Sequence, residues 1–600
     1  MEASRKKQTT PSRIRRFLTF LSAGYSVRVM GDRRRQERSR LRIARAAARW
    51  QKSPLRRILC HLRDALFMTE LRAFALFIAP MALAATFRCL LLPLLTDDFP
   101  LLPLDGVAGI VLSLFVLLLS TYSTPLYRAL SGDRLLSRLF FTTLALPRPY
   151  ITMARGIRGI YLLLLGLLLA VASLFVSPLL LSLALIGALL LALSMASPEF
   201  SLLLLGIFFP FSVFLGEAFA PLAIILGITL LSYLFKLFLG KRDFYLEPIG
   251  LFLLLFVAVN LCFSFAGSNA SPLGPLKLAT VAACGYFLTA NLLTTKRTAV
   301  FFSRGMIFTA TVLSALAIFS EIFALLPATV VRGSFTRYLL ALNERFFPSS
   351  NVLATYLILL LPLLLGILAD RKEARLRLIL PLLILLAALV LSVAPMALLA
   401  ILLSLVLFTL LNTGSRAGIF FFICAILPNA VLLVPRKWCE SLASLLPVLG
   451  IDTMLTERFE LLQASFALLR SHPLGIGDGI FAEGASLYLA IGLQSGIFGI
   501  LALALMLGFV ARDALHTADL ERSNRHRTLL HGCACALFAA LVYAPFRNIF
   551  SDIRTALLFF LMMGMLTAVC RFGWLEDELH RRHMQDDDHE SYATELRITH

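Results

Sequence analysis

Apolar runs long enough to cross a membrane recur along almost the whole chain of 600 residues. A run of about eighteen or more apolar residues spans roughly 30 Å of hydrocarbon as a helix. A helix also satisfies every backbone polar group within the run, which matters because hydrocarbon offers no water. Hydrophobic residues make up 59% of the chain and charged residues only 15%, which excludes an ordinary soluble protein. The sequence therefore predicts an all-α, polytopic membrane helical bundle.

The apolar runs predict about sixteen transmembrane helices. These spans cover residues 73–95, 107–124, 159–176, 178–196, 200–216, 220–239, 248–266, 273–293, 304–325, 352–369, 376–394, 396–412, 417–434, 486–511, 528–547 and 553–571.

Basic residues give the predicted orientation, because short cytoplasmic loops carry an excess of Lys and Arg. Counting through the spans places the basic loops on one side of the membrane, at 128–148, 241–242, 296–297, 371–377 and 512–527. Both termini fall on that same side. We therefore expect both termini to be cytoplasmic.

The chain divides into four predicted parts. These are a basic cytoplasmic segment 1–70, membrane helices 71–325, a membrane core 326–571, and a cytoplasmic tail 572–600. The net charge of +21 comes largely from arginines in the first part and in the cytoplasmic loops, so we do not expect nucleic acid as a partner. Two alternatives stay open for the first part: "SRIRRFLTFL" and "RRRQERSRLRIARAAARW" lie on anionic lipid, or the Arg-rich start is a mitochondrial transit segment.

The nine cysteines show no metal-binding spacing, and Cys439 is the only one in the longer of the two polar outer loops. Zinc and disulfides are therefore not expected. We predict no metal and no cofactor.

Two predicted outer loops are long and polar in a chain that otherwise turns tightly, 326–351 and 435–485. Catalytic residues are most often found on loops that a rigid frame holds. We therefore expect the functional residues there.

The second loop contains an amphipathic segment, "MLTERFELLQASFALLRSHP". Its apolar residues repeat at steps of four and three, at Leu455, Phe459, Leu462, Phe466 and Leu469. This spacing predicts a helix on the outer membrane interface. Arg458 flanks the apolar face, where its cation reaches either a lipid head group or water.

Four segments resemble a known family. The stretch "SSNVLATYLILLLPLLLGI" from Ser349 resembles the helix start "NPN-x-LA-x-YL…P" of the O-antigen ligase and O-antigen polymerase superfamily. "ERFELLQASFALLRSHPLGIGDGIF" is similar to its Arg-containing segment with "P-l-x-G-x-G-x-x-x-F". "SLYLAIGLQSGIFGILAL" resembles its "HN-x-YL…E-x-G-x-x-G" helix, and "ALVYAPFRNIFSDIRTALLFFLMMG" its closing pair of helices. The resemblance covers about half of the chain, residues 349 to 570.

The resemblance implies a GT-C-like membrane glycosyltransferase at the outer face of a bacterial cytoplasmic (inner) membrane. The family transfers a glycan from polyprenyl diphosphate to an acceptor hydroxyl on another glycan or a surface lipid. Arginines stabilise the negative charge that develops on the diphosphate. A base, His in the family, takes the proton of the acceptor hydroxyl. The scheme requires no metal, and the expected partners are lipid-linked glycan, a glycan or lipid acceptor, and membrane lipids.

The sequence departs from the family at its reactive positions. The family's "HN" falls on Ala485 and Ser486, and neither side chain accepts a proton near neutral pH. The family's "SR" element aligns best with Ala394 and Pro395. The letters also occur in "NTGSRAG", but Arg416 there falls on the cytoplasmic side.

Substitutes for the missing groups are available on the predicted outer side. Candidate bases are His472, Glu483 and Glu321, although His472 and Glu483 also fit structural or solvated roles. Candidate diphosphate-binding residues are Arg458, Arg345, Arg554, Arg547 and Arg337. Asn351 lies at the start of the family-like helix.

Three functional hypotheses follow. The first is a lipid-linked glycan ligase or polymerase with a rearranged base. The second is a catalytically degenerate member that binds lipid-linked glycan or pathway partners without turnover. The third is a transporter or flippase, which would depend on residues within the membrane such as Lys277, although the spans contain few of the acidic residues that ion coupling uses.

Overall fold

The computed structural model describes residues 27–28, 53–90, 103–137, 156–176, 178–215, 219–239, 242, 244–266, 273–325, 346–347, 350–369, 375–392, 394–413, 419–421, 423–424, 464–477, 486–520 and 524–572. In chain order the helices are α1 (Pro54–Met68), α2 (Leu71–Leu90), α3 (Pro103–Ser120), α4 (Leu126–Gly132), α5 (Arg134–Ser137), α6 (Gly159–Phe175), α7 (Pro178–Ala196), α8 (Pro198–Phe208), α9 (Phe219–Phe238), α10 (Pro248–Ala266), α11 (Leu273–Leu292), α12 (Lys296–Leu325), α13 (Ser350–Leu368), α14 (Arg375–Leu391), α15 (Pro395–Thr413), α16 (464–471), α17 (Leu487–Leu520), α18 (Asn524–Tyr543) and α19 (Ile553–Phe572).

Helices account for most of this described part of the chain. Eight of them are long and apolar enough to cross a membrane, and seven shorter apolar helices accompany them. Several helices begin at a proline, which suits the first helical position because its missing N–H has no partner there. The prediction of an all-helical membrane protein is confirmed. The predicted span 417–434 lies almost entirely outside the described residues.

The chain forms two compact units. The smaller unit comprises Met30–Ser201 and Ile228–Arg242, and the larger unit comprises Met1–Val29, Leu202–Gly227 and Asp243–His600.

In the smaller unit α2 packs along both α3 and α6. Gly166 of α6 lies so close to the backbone of Phe77 on α2 that a Cβ would overlap its carbonyl group. Small residues permit such close helix contacts in membranes. The buried carboxylate of Glu199, in the first turn of α8, pairs with Arg242 and lies 3.9 Å from the ammonium of Lys236.

In the larger unit α13 and α19 form the centre. In the membrane-spanning part of α19 94% of the residues are buried, and in that of α13 78% are buried. In α15 the buried share is only 28%. The first two are therefore core helices, and α15 lies at the periphery. Gly366 of α13 faces Gly532 of α18, and a Cβ on Gly366 would lie 2.6 Å from the carbonyl oxygen of Thr528.

A buried ion pair joins helix ends at one end of the larger unit. The carboxylate of Glu247 precedes α10 and lies 3.2 Å from a guanidinium nitrogen of Arg571 at the end of α19. Arg571 also donates to the carbonyl of Ala290 near the end of α11, at 2.5 Å. Beside this pair, β1 (Val27–Arg28) forms a short antiparallel ladder with β2 (Tyr245–Leu246).

Candidate functional site

A small open cavity lies at the other end of the larger unit, where α12 ends, α13 begins and α14 ends. Glu321, Phe347 and Ser392 line it among apolar side chains that include Leu353 and Ala388. Its volume is about 90 Å³. This space admits a reacting hydroxyl group but does not enclose a sugar chain.

Glu321 supplies the charge of this cavity. Of the described lining residues it is the only ionisable one, and it is exposed. Ser392 supplies the hydroxyl, whose proton is donated to the carbonyl of Leu389 at 2.7 Å. The oxygen lone pairs of Ser392 remain available to accept a hydrogen bond. The cavity therefore presents hydrogen-bond acceptors to an incoming hydroxyl.

Asn351 lies in the first turn of α13 and is half-buried. Its carbonyl oxygen accepts a hydrogen bond from the hydroxyl of Thr355 at 2.7 Å. Leu353 in the same turn lines the cavity. The family-like helix start thus forms one wall of the site.

Arg554 lies near the cavity, but its guanidinium group already has hydrogen-bond partners within the protein. Its side chain is buried and its guanidinium pairs with the carboxylate of Asp552 through both Nε and Nη2. Nη1 donates to the carbonyl oxygen of Phe346 at 2.7 Å. Since Phe346 precedes Phe347, which lines the cavity, Arg554 holds one wall of the site rather than offering a free cation to it.

Arg547 is placed differently. It follows α18, in a loop whose Ala544 carbonyl accepts the N–H of Leu487 at the start of α17. The residue is half-buried, and its Nε is buried with no hydrogen-bond partner. An unsatisfied guanidinium N–H is costly to bury and is a ready donor for an anionic oxygen. Of the two candidate arginines that the structure describes, Arg547 is the one with an open donor.

His472 follows the end of α16 and is exposed. Its Nδ1 lies 2.9 Å from the hydroxyl of Ser471, and its carbonyl accepts the N–H of Gly475. It is not among the residues that line the cavity. Of the five apolar residues that define the amphipathic segment, the structure describes two. Phe466 is exposed, and Leu469 packs against Gly492 of α17.

The segment after His472 fills a break in α17. Gly496 interrupts the helix with φ 64° and ψ −157°. The N–H groups of Ile476 and Gly477 donate to the carbonyls of Leu493 and Gln494, at 2.7 and 3.2 Å. The N–H of Ile497 in turn donates to the carbonyl of Pro473 at 3.1 Å. Backbone groups that the break frees are thereby satisfied within the protein, as a membrane interior requires.

Ser486, Ala394 and Pro395, which the sequence resemblance aligned with reactive positions of a family, have structural roles here. Ser486 is fully buried, and its hydroxyl accepts the N–H of Tyr488 at 3.3 Å, which caps the start of α17. Pro395 is the first residue of α15, and the carbonyl of Ala394 accepts the N–H of Ala397.

Four candidate residues, together with Ala485, lie outside the described residues. These candidates are Glu483, Arg458, Arg345 and Arg337. Of the described candidates, only Glu321 lines the cavity. Asn351 and Arg554 lie next to lining residues, and Arg547 and His472 lie in loops that do not line it.

The sequence analysis missed Asp552, Phe346 and Ser392. Asp552 was detectable, because it caps α19: its carboxylate accepts the N–H of Arg554 at 2.8 Å, and Asp is a favoured residue at that position. Phe346 contributes only a backbone carbonyl, and Ser392 is an ordinary hydroxyl at a helix end. Neither has a sequence signal.

In comparisons with known proteins, no family model, no curated protein and no solved structure matches this chain.

Proposed function

We propose that the chain is a membrane glycan ligase or polymerase that transfers a polyprenyl-diphosphate-linked glycan to an acceptor hydroxyl at the outer face of a bacterial cytoplasmic membrane. The observation that carries the proposal is the open cavity with the carboxylate of Glu321, walled by the helix that begins at Ser350. We further propose sixteen spans in a GT-C-like arrangement with both termini in the cytoplasm.

Glu321 is the proposed base. Its carboxylate accepts the proton of the acceptor hydroxyl while the hydroxyl oxygen bonds to C1 of the donor glycan. The bond between C1 and the diphosphate oxygen breaks, and its electron pair stays on the diphosphate. Glu321 is preferred to His472 because it lines the cavity, whereas His472 does not.

Arg547 is the proposed diphosphate anchor. It does not line the cavity, but it lies in the loop between α18 and α19, and Arg554 in the first turn of α19 contacts Phe346 beside the cavity. Its buried Nε lacks an acceptor, and a phosphoryl oxygen would supply one. Charge-assisted hydrogen bonds of this kind strengthen as negative charge grows on the leaving group. Arg554 is not assigned this role because Asp552 already neutralises it.

A second candidate function is binding of lipid-linked glycan without turnover. The specific observation in its favour is the ion pair of Arg554 with Asp552, which withdraws one cation from the site. The family's reactive positions also hold Ala394 and Pro395.

Transfer in proteoliposomes tests both. The purified full chain receives polyprenyl-diphosphate glycan extracted from its host together with an acceptor extract, and released polyprenyl diphosphate is measured. We expect turnover by the natural chain and a loss of roughly 100-fold or more in Glu321→Gln, because a general base contributes about 10² to 10⁴ in rate. Donor binding should persist in Glu321→Gln and weaken in Arg547→Ala.

Glu70→Gln is the matched control, since Glu70 is an exposed carboxylate in the smaller unit. Turnover by the natural chain that Glu321→Gln leaves intact would refute the role of Glu321. Donor binding without any turnover by the natural chain would establish the second candidate instead.

A further inference from the structure

Helix α1 carries large apolar side chains on its exposed face. Ile58, Leu62 and Leu66 follow one another at intervals of four and therefore share one face of the helix. Their exposed fractions are 64%, 53% and 36%. A helix packed on a water-soluble protein turns such a row inward. We call these three residues the apolar row of α1.

The inward side of α1 carries one carboxylate among half-buried apolar side chains such as Cys60 and Met68. Asp64, the single acidic residue of the helix, is buried and lies 2.6 Å from a guanidinium nitrogen of Arg63. Large apolar side chains thus stay exposed on α1 while a carboxylate is buried, and we infer that the surroundings of the apolar row are apolar.

Basic side chains flank the apolar row. Arg57 and His61 are exposed beside it. The only carboxylate of the helix is buried and already paired with Arg63. The exposed face of α1 therefore combines apolar side chains with uncompensated positive charge, the composition of helices that lie on anionic membranes.

The position of α1 is set by its joint with α2. The chain bends at Thr69, and the apolar helix α2 begins at Leu71. The carbonyl of Thr69 accepts the N–H of Leu126 at 3.0 Å, and its hydroxyl accepts the N–H of Ile157 at 2.9 Å. Leu71 in turn donates to the carbonyl of Thr124 at 3.1 Å. These bonds hold the end of α1 at the point where α2 starts.

We propose that α1 is a surface helix that binds anionic phospholipid in the leaflet where α2 begins. The apolar row enters the boundary between head groups and acyl chains, and Arg57 reaches the phosphate level. Both the continuity with α2 and the positive charge favour a lipid surface over a protein partner. This inference does not depend on the proposed transfer activity.

Photo-crosslinking of the full chain in native membranes tests the proposal. p-Benzoylphenylalanine is introduced at Ile58, Leu62 or Leu66, and at Gly132 as the control, because a side chain at Gly132 meets no atom within 4 Å. Adducts are identified by mass spectrometry. We expect at least ten times more phospholipid adducts at Leu62 than at Gly132, with phosphatidylglycerol enriched several-fold over its share of the membrane.

A second variant tests the charge. Arg57→Glu, combined with the probe at Leu62, should bring the enrichment of phosphatidylglycerol to that of the bulk membrane while lipid adducts persist. Adducts to a protein at the apolar row, or lipid yields at Leu62 equal to those at Gly132, would overturn the proposal. Enrichment of anionic lipid that Arg57→Glu leaves unchanged would overturn the role of the charge.

Discussion

Arg554 and Arg547 lie close together in the sequence, but their guanidinium groups have opposite surroundings. Arg554 is buried, 6% exposed, and has acceptors in Asp552 and the carbonyl of Phe346. Arg547 has a buried Nε without an acceptor. The residue type alone indicated an anion-binding role for both arginines. Only their hydrogen-bond partners in the structure distinguish Arg554, which has acceptors within the protein, from Arg547, whose Nε has none.

Arg554→Ala should destabilise the protein strongly. Removing one partner of a buried ion pair leaves the carboxylate of Asp552 uncompensated, at a cost of about 3 to 5 kcal/mol. Arg554→Lys should retain only part of this stability, because an ammonium group cannot make both the bidentate contact with Asp552 and the hydrogen bond to the carbonyl of Phe346. Thermal unfolding in detergent measures this, with Arg547→Ala as the control that changes stability little. If Arg554→Ala unfolds like the natural chain but loses donor binding, Arg554 binds the diphosphate instead.

Glu247 should make stability depend on pH. Burial raises the pKa of its carboxyl from the ordinary 4.5 to about 7, against the opposing effect of the Arg571 cation. Because the folded state binds the proton more tightly than the unfolded state, the stabilisation is complete below about pH 4.5. It is lost as the pH rises through 7, by roughly 3 kcal/mol at most.

The unfolding temperature of Glu247→Gln should therefore vary less between pH 5 and 8 than that of the natural chain. The amide oxygen of Gln can still accept from Arg571. Glu70→Gln, which alters an exposed carboxylate far from this ion pair in the sequence, is the control. An unaltered slope in Glu247→Gln would contradict the assignment.

At the scale of elements, the break in α17 illustrates how loop and helix depend on each other. Gly475 and Gly496 both have positive φ, 84° and 64°, and a Cβ on Gly475 would lie 2.6 Å from the nitrogen of Gly496. The two backbones meet at a distance that side chains do not permit. Residues 473–477 and 494–496, whose letters resemble "P-l-x-G-x-G" and "E-x-G", form one packed contact between the segment after α16 and the broken helix.

Gly496→Ala should lower stability by about 1 to 3 kcal/mol from the backbone strain alone, and the overlap with Pro473 and Leu474 adds to this cost. Gly508→Ala is the matched control on the same helix, since a Cβ there meets nothing within 4 Å. It should be neutral or stabilise the protein by up to about 1 kcal/mol, because Ala favours a helix over Gly. Thermal unfolding compares the two variants. Equal unfolding temperatures would mean that the break tolerates a side chain.

At the scale of the whole molecule, burial separates core helices from peripheral ones in the larger unit. α19 and α13 are the most buried of the spanning helices. Arg554 in the first turn of α19 donates to the carbonyl of Phe346, which lies just before α13. The proposed site therefore rests on the most buried helices of this unit. Active sites generally need such support to hold reacting groups in place.

The apolar pattern of the sequence located the long apolar helices among those described, but not α1, α4 or α5. A membrane helix satisfies its own backbone hydrogen bonds, so its position depends mainly on a local run of residues. For the same reason Asn351 could be placed at a helix start and Glu321 near a helix end. The cavity between them could not be foreseen, because it depends on how three helix ends meet.

What the sequence by itself determined is therefore the class of the protein, its long apolar helices and the residues available for chemistry. The tertiary structure decided which of those residues are free. Arg554 meets a carbonyl 208 positions away, and Arg571 meets a carboxylate 324 positions away. The outward apolar row of α1 likewise became visible only when its neighbours were in place. Contacts of this kind follow from the packing of distant segments, whereas helix formation follows from neighbours along the chain.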